Sequence, residues 1–389
     1  MKTYRPLPVS FARGIGAWLE DNTGKRYLDA ISGIAVCSLG HANPEIAEAL
    51  ADQAATLIHT SNLYQIGLQQ QLGNRLTQIA GMDRVFFGNS GAEANEAAIK
   101  LARLYGHGKG IANPTIIVTE NSFHGRTMAT LSATGNPKIQ TGFEPLVSGF
   151  SRVPYNDVAA IEARIAEDKN IVAVLVEPVQ GEGGVNIPGN DYLKTIRELC
   201  DKNDLLMMLD EIQTGICRTG RWFGFEHENA QSDCRPDVMT LAKSLGNGVP
   251  IGACLARGKA AEVMQPGTHG STYGGNPLAC RAAITVLDIM ERDNMAARAA
   301  ALGESLLADF NSALSGIEGV SNIRGKGLMI GIELDRPCAD LVGIALEQGL
   351  LINVTADKVI RLLPPIIMTD DEARQLVDTL SALIKNFLG

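Results

Sequence analysis

A chain of 389 residues, 45% hydrophobic and 20% charged, has the balance of a soluble globular protein and more length than one ordinary core fills, so two domains are expected. A net charge of −9 without any strongly basic run excludes a non-specific nucleic-acid binder. No apolar stretch is long enough to span a bilayer, and Met1 to Ser10 lacks the apolar core of a secretory signal, so no membrane or export role is expected.

In chain order, Ala17-Trp18-Leu19 and Tyr27-Leu28 flank the turn Asp21-Asn22-Thr23-Gly24, which predicts a hairpin. Val85-Phe86-Phe87 predicts a strand leading into a helix from Ala92 to Tyr105, with Ala94, Ala97, Ala98 and Leu101 on one face. Thr115 to Thr119 reads as a strand. Three fully apolar runs follow: Ile171 to Val176, Leu205 to Leu209 and Val238 to Ala242, ended by Glu177-Pro178, Asp210-Glu211 and Lys243. Two helices, Leu278 to Arg292 and Met295 to Leu314, precede a Gly-rich strand region, Gly325 to Glu333, and a last helix spans Asp370 to Asn386. Short apolar strands alternating with helices predict an α/β fold, a large domain with a mostly parallel sheet covered by helices plus a smaller α+β domain. The expected division is 1–55 for the N-terminal part of the small domain, 56–277 for the large domain and 278–389 for the C-terminal small domain. Seven cysteines, Cys37, Cys200, Cys217, Cys234, Cys254, Cys280 and Cys338, are scattered without metal-ligand spacing, which suits a reducing cytoplasm.

Ligands of parallel sheets sit beyond the carboxyl ends of the strands, where Asp210 and Lys243 fall. Lys243 alone reads as a surface lysine past a strand end. Its other reading is a Schiff-base lysine, which needs a shielded position and a lowered pKa. Asp210 could cap a helix or could face the ring nitrogen of a flat cofactor. Gly88 to Asn95 lies between strand and helix, where small residues let N–H groups approach a phosphate; Ser90 and Glu93 also fit a capping box. Phe123 could stack on a planar ring and Arg126 could grip a carboxylate, against core packing and a surface ion pair. Gly270 to Pro277 is a Gly-rich loop with hydroxyls, a phosphate donor or a plain turn. Glu182 and Arg361 form a possible charge pair that spacing alone does not establish.

Taken together, Tyr27-Leu28-Asp29, Gly33-Ile34-Ala35-Val36, Leu39-Gly40-His41, Ser90-Gly91-Ala92-Glu93-Ala94-Asn95, Phe123-His124-Gly125-Arg126-Thr127, Glu177 to Gly184, Asp210-Glu211-Ile212-Gln213-Thr214-Gly215, Ala242-Lys243 and Gly270 to Pro277 resemble the class III, fold-type I aminotransferases over Trp18 to Pro365. The resemblance implies pyridoxal 5'-phosphate as cofactor. Lys243 would carry it and shuttle a proton, Asp210 would pair with the pyridinium nitrogen, Gln213 would touch the phenolic oxygen, and Phe123 would stack on the ring. Gly91 and Ala92 would hold the phosphate, with Glu211 and Ile212 beside the ring. Thr272 would reach the phosphate of a neighbouring subunit, with Ser271 near the substrate, which implies a homodimer. Arg126 would bind the donor's carboxylate, Arg361 the α-carboxylate of 2-oxoglutarate, and Glu182 would gate an arginine. No metal, nucleic acid or membrane partner is implied. The expected amino donor is N2-acetylornithine, with ornithine, succinylornithine and 4-aminobutyrate as rivals. A non-catalytic cofactor-binding protein is disfavoured because Lys243 and Asp210 are both present, and a dinucleotide enzyme because Gly14-x-Gly16 lacks the third glycine. Two positions depart from the pattern of many relatives. Ala92 stands where they carry Thr, so only its N–H can serve the phosphate. Gln65 follows Tyr64 where acetylornithine-type relatives carry a second aromatic.

Overall fold

The strands Ile171–Val176, Leu206–Asp210, Val238–Leu241 and Gly252–Ala256 are buried at every position. A strand with no solvent face must be central, covered above and below. The computed structural model, which describes residues 1–228 and 233–389, places them in a seven-stranded sheet. Its order is Arg84–Gly88, Gly252–Ala256, Val238–Leu241, Leu206–Asp210, Ile171–Val176, Thr115–Thr119, Phe150–Val153. Only Gly252–Ala256 runs antiparallel to its neighbours; the other pairings are parallel.

Side chains alternate between the two faces of a strand, and the core divides accordingly. Leu206, Met208 and Val238 join Ala97, Ala98, Leu101 and Ala102 of the helix Gly91–Gly108 on one face. Met207, Leu209, Met239 and Leu241 join Leu193, Ile196 and Cys200 of the helix Tyr192–Lys202 on the other. The alanine stripe is what lets the helix Gly91–Gly108 lie close on the sheet.

Two smaller sheets flank this unit. Phe11–Ile15, Trp18–Asp21 and Arg26–Asp29 form an antiparallel meander, and Leu350–Leu351 adds to Arg26–Asp29 in parallel. The second sheet runs Val320–Lys326, Met329–Leu334, Val359–Leu362, Asn353–Thr355, all antiparallel. The single strand region expected over Gly325 to Glu333 is therefore a hairpin. Gly327 turns it with φ of +53°, against the Thr219 backbone, where a Cβ would sit 2.3 Å from the carbonyl carbon; only glycine meets both demands. The long helices begin and end within a few residues of the sequence expectation: Gly91–Gly108, Pro277–Arg292, Met295–Leu314 and Asp370–Leu388. Caps account for two of the starts. Asn276 accepts from the Ala279 N–H, and Thr369 shares a capping box with Glu372.

Candidate active site

The carboxyl ends of five strands converge on one side of the central sheet: Gly88, Thr119, Val176, Asp210 and Leu241. Beyond them lies a cavity of about 370 Å³. Gly91, Ala92, Phe123, Arg126, Glu182, Asp210, Ile212, Gln213 and Lys243, named from the sequence, all line it.

Asp210 ends its strand on the same face as Leu206 and Met208, so it meets the helix Gly91–Gly108 rather than solvent. Asn95 of that helix donates to Asp210 Oδ2 at 2.8 Å, and His124 Nδ1 lies 2.8 Å from the same oxygen. The Ile212 N–H takes Oδ1 at 3.1 Å. Asn95 is itself fixed, donating to the His124 carbonyl and accepting from Thr240 Oγ1, each at 2.8 Å. Thr240 is the cross-strand partner of Asp210. The carboxylate is thus held in one orientation by three donors, the arrangement a fixed counter-charge requires.

Lys243 follows the strand Val238–Leu241 with φ of +46°, a left-handed conformation that costs a non-glycine residue about 1–3 kcal/mol and concentrates at functional sites. Its ammonium has no ion-pair partner among the described residues, and Glu182 pairs with Arg361. Burial lowers its pKa to about 8, outweighing the nearby Glu182 charge, which acts in the opposite sense. A lysine so placed is a usable nucleophile near neutrality.

Glu177, buried at the end of Ile171–Val176, accepts the Phe123 N–H at 3.1 Å. Burial, then the nearby Asp210 charge, pushes its carboxyl well above the usual range. Phe123 lies half-buried in the cavity wall, with the exposed Arg126 guanidinium 5.9 Å from its ring centroid.

Ser90 caps the helix by accepting from the Glu93 N–H, but Glu93 accepts from Asn89 rather than from the Ser90 N–H, so the reciprocal half of the expected capping box is not formed. The Ser90 cap leaves the N–H groups of Gly91 and Ala92, which a helix cannot satisfy internally, at the cavity wall. A Cβ on Gly91 would sit 2.7 Å from Ile212 Cδ1 and fill that cradle. Gln213 lines the cavity with its side-chain carbonyl oxygen unpartnered.

Arg361 is 1% exposed and lies behind Glu182, whose Oε1 accepts from Arg361 Nη1 at 2.6 Å. The charge pair left open by spacing is formed. The remaining named residues lie outside the cavity of this chain. Glu211 points into the core, accepting from Thr214 and from the N–H groups of Gly224 and Phe225. Ser271 reaches the cavity only through Asn89, at 3.3 Å, while Thr272, Tyr64 and Gln65 are exposed. His124, Asn95 and Glu177 stand within the sequence motifs, but no role was expected of them. The strand-end position of Glu177 was the only signal for it, and the other two become visible only once the sheet register is known.

An activated lysine, a fixed carboxylate, an aromatic face and a helix N-terminus around one cavity fit a flat, phosphorylated, carbonyl-bearing cofactor. Residues 1–384 match the family model described as Aminotransferase class-III. The chain is 58% identical to acetylornithine aminotransferase of Nitrosomonas europaea over 388 residues, covering 100% of this chain and 98% of that one. It is 46% identical to acetylornithine aminotransferase of Methanothermobacter thermautotrophicus, covering 99% and 96%. Among solved structures it superposes on ornithine aminotransferase from Toxoplasma gondii with a TM-score of 0.94, at 36% identity and covering 98% and 91%. It also superposes on acetylornithine aminotransferase from Elizabethkingia anophelis with a TM-score of 0.87, at 37% identity and covering 99% and 95%.

Proposed function

Because the chain belongs to the class-III aminotransferases, we propose that it transfers the δ-amino group of N2-acetylornithine to 2-oxoglutarate, giving N-acetylglutamate 5-semialdehyde and glutamate, a step of arginine biosynthesis. The cofactor of this family is pyridoxal phosphate. When bound, it supplies an aldehyde for amines and a protonated ring that takes up electrons from the reacting carbon. The residues present fit it.

Lys243 Nζ would hold the cofactor and, as a free amine, would move the proton from the donor's amine-bearing carbon to the cofactor's carbonyl-derived carbon. Its lowered pKa keeps a useful fraction of free amine near neutrality. Asp210, oriented by Asn95 and His124, holds the ring nitrogen protonated. Gly91 and Ala92 hold the phosphate through N–H groups, Phe123 covers a ring face and Gln213 serves the phenolic oxygen. Arg126 binds the donor's carboxylate end. Arg361 binds the α-carboxylate of 2-oxoglutarate, and Glu182 neutralises Arg361 while the donor, whose reacting carbon carries no carboxylate, is in place. A second copy of the chain completes the site with Thr272 and Ser271, and covers the exposed Leu63, Tyr64 and Tyr273.

The observation that carries this reading is the closed Glu182–Arg361 pair beside the Lys243 cavity. A site that met only α-amino acids would have no use for a carboxylate masking its carboxylate receptor. The test is a parallel titration of the holoenzyme with N2-acetylornithine, ornithine and 4-aminobutyrate, read by the cofactor's visible absorbance. Bleaching by N2-acetylornithine at the lowest concentration, reversed by 2-oxoglutarate, is expected. Preference for another amine would overturn the donor assignment, and no response to any amine would overturn the reaction. Lys243→Ala should lose at least about 10⁴-fold in turnover while keeping its fold.

A further inference from the structure

Arg361 on Val359–Leu362 lies directly opposite Asn353 on the antiparallel strand Asn353–Thr355. Cross-strand partners share a face. Asn353 Oδ1 accepts from Arg361 Nε at 3.1 Å and from Nη2 at 2.7 Å. Those two N–H groups make one edge of the guanidinium. The second edge, Nη1 with the other Nη2 hydrogen, is the one a carboxylate can take in bidentate fashion. Glu182 stands on that second edge through Nη1, at 2.6 Å.

The backbone around Glu182 is tied to the same sheet. Thr355, two residues along from Asn353, donates its hydroxyl to the Glu182 carbonyl. Arg324 donates to the carbonyls of Gly184 at 2.6 Å and Val185 at 2.9 Å. Uncovering Arg361 is therefore a rotation of the Glu182 side chain over a fixed frame.

We propose that Asn353 is the specificity-determining positioning residue of the acceptor site: it holds the guanidinium of Arg361 by one edge when Glu182 withdraws, so the other edge meets the acceptor's carboxylate already oriented. The proposal rests on the reading of Arg361 as that carboxylate's receptor. A neutral amide suits the task, since it orients the cation without cancelling its charge. A carboxylate at the same place would compete with the acceptor, and an apolar side chain would leave the guanidinium to find its orientation on binding. The donor does not use Arg361, so Asn353 separates the two halves of the reaction.

The experiment compares the parent holoenzyme with Asn353→Leu, Asn353→Asp and Arg361→Leu. Donor and acceptor half-reactions are followed separately by absorbance, and binding of glutarate, an unreactive dicarboxylate, by calorimetry. Asn353→Leu should weaken glutarate and raise half-saturating 2-oxoglutarate about tenfold, the scale of a hydrogen bond to a charged group, while the donor's half-saturation stays within twofold. Asn353→Asp, which keeps the strand and the contact, should weaken both ligands further. If Asn353→Leu and Asn353→Asp leave both within twofold while Arg361→Leu loses them, the role of Asn353 is overturned and that of Arg361 stands. If Arg361→Leu itself retains them, both readings fall. Equal weakening of donor and acceptor would overturn the specificity role.

Discussion

Two polar residues that end apolar runs, Asp210 and Lys243, both line the cavity at the strand ends. Lys243 and Asp210 were legible because a buried strand tolerates no charge until its end, and in a parallel sheet that end faces the ligand. What surrounds them was not legible. His124 and Asn95 reach Asp210 from a loop and a helix 86 and 115 positions away in sequence, and nothing local in either segment announces the meeting. The Lys243 microenvironment gives a test at this scale. With its pKa near 8, below the ~10.4 of a free lysine, the amine should titrate well before the surface lysines. Competitive acylation of the cofactor-free protein across pH, read residue by residue by mass spectrometry, should give Lys243 a midpoint near 8. A midpoint above 10 would remove the basis for its activation. The same shift sets a stability trend: the unfolded chain holds this proton to higher pH, so the Lys243 contribution to folding improves as pH rises from about 8.

Elements were more legible than their arrangement. Helix faces and strand runs follow from periodicity, but runs such as Ile171–Val176, buried on both faces, carry no alternation that could tell order or register. The Gly325 to Glu333 stretch failed differently, since its turn chemistry at Gly327 reads as a glycine within one strand. Close approach of elements is where the site is most easily disturbed. A Cβ on Gly252 would lie 2.1 Å from the Ser90 carbonyl oxygen, so Gly252→Ala must displace the strand start or the first turn of the helix Gly91–Gly108. It should cost about 1–3 kcal/mol in urea unfolding and weaken pyridoxal phosphate binding about tenfold or more; unchanged cofactor affinity would separate that turn from the phosphate. A second element contact responds to pH. His41 Nε2 lies 2.7 Å from Asp29 Oδ2, and the hydrogen bond to Asp29 raises the His41 pKa to about 9. The folded state thus favours the imidazolium. Its contribution is fully present below the ordinary ~6.5 and is lost as pH rises through 9. A double-mutant cycle with His41→Gln and Asp29→Asn should give a coupling of about 1.5–3 kcal/mol at pH 6 and a much smaller one at pH 9.5.

At the scale of the molecule, a buried cation, Arg218, links segments that lie far apart in the chain. Arg218 is fully buried, with no carboxylate partner among the described residues. Its guanidinium donates to the carbonyls of Leu328 and Pro364, to Ser38 Oγ at 2.6 Å and to Ser32 Oγ at 3.5 Å. Because it can only donate, Ser38 spends an acceptor on it and turns its own hydrogen to Ser244 Oγ, 2.6 Å away; Ser244 then donates to the Ala35 carbonyl at 3.0 Å. One directed chain of hydrogen bonds thus joins the segment behind Arg361, the N-terminal 32–38 turn and the residue next to Lys243. Such a charge stays buried only because every oxygen around it is fixed. Arg218→Met should therefore not behave as a harmless apolar replacement, since it strands two buried carbonyls; a loss of about 3 kcal/mol in urea unfolding is expected. Arg218→Lys, with fewer donors and no planar fork, should lose nearly as much. If Arg218→Met matched the parent in stability and in half-saturation by both substrates, the chain of bonds would be incidental to the fold. If Arg218→Lys restored both where Met did not, charge alone would be sufficient. The geometry, with four acceptors shared between Nη1 and Nη2, predicts that neither variant restores both.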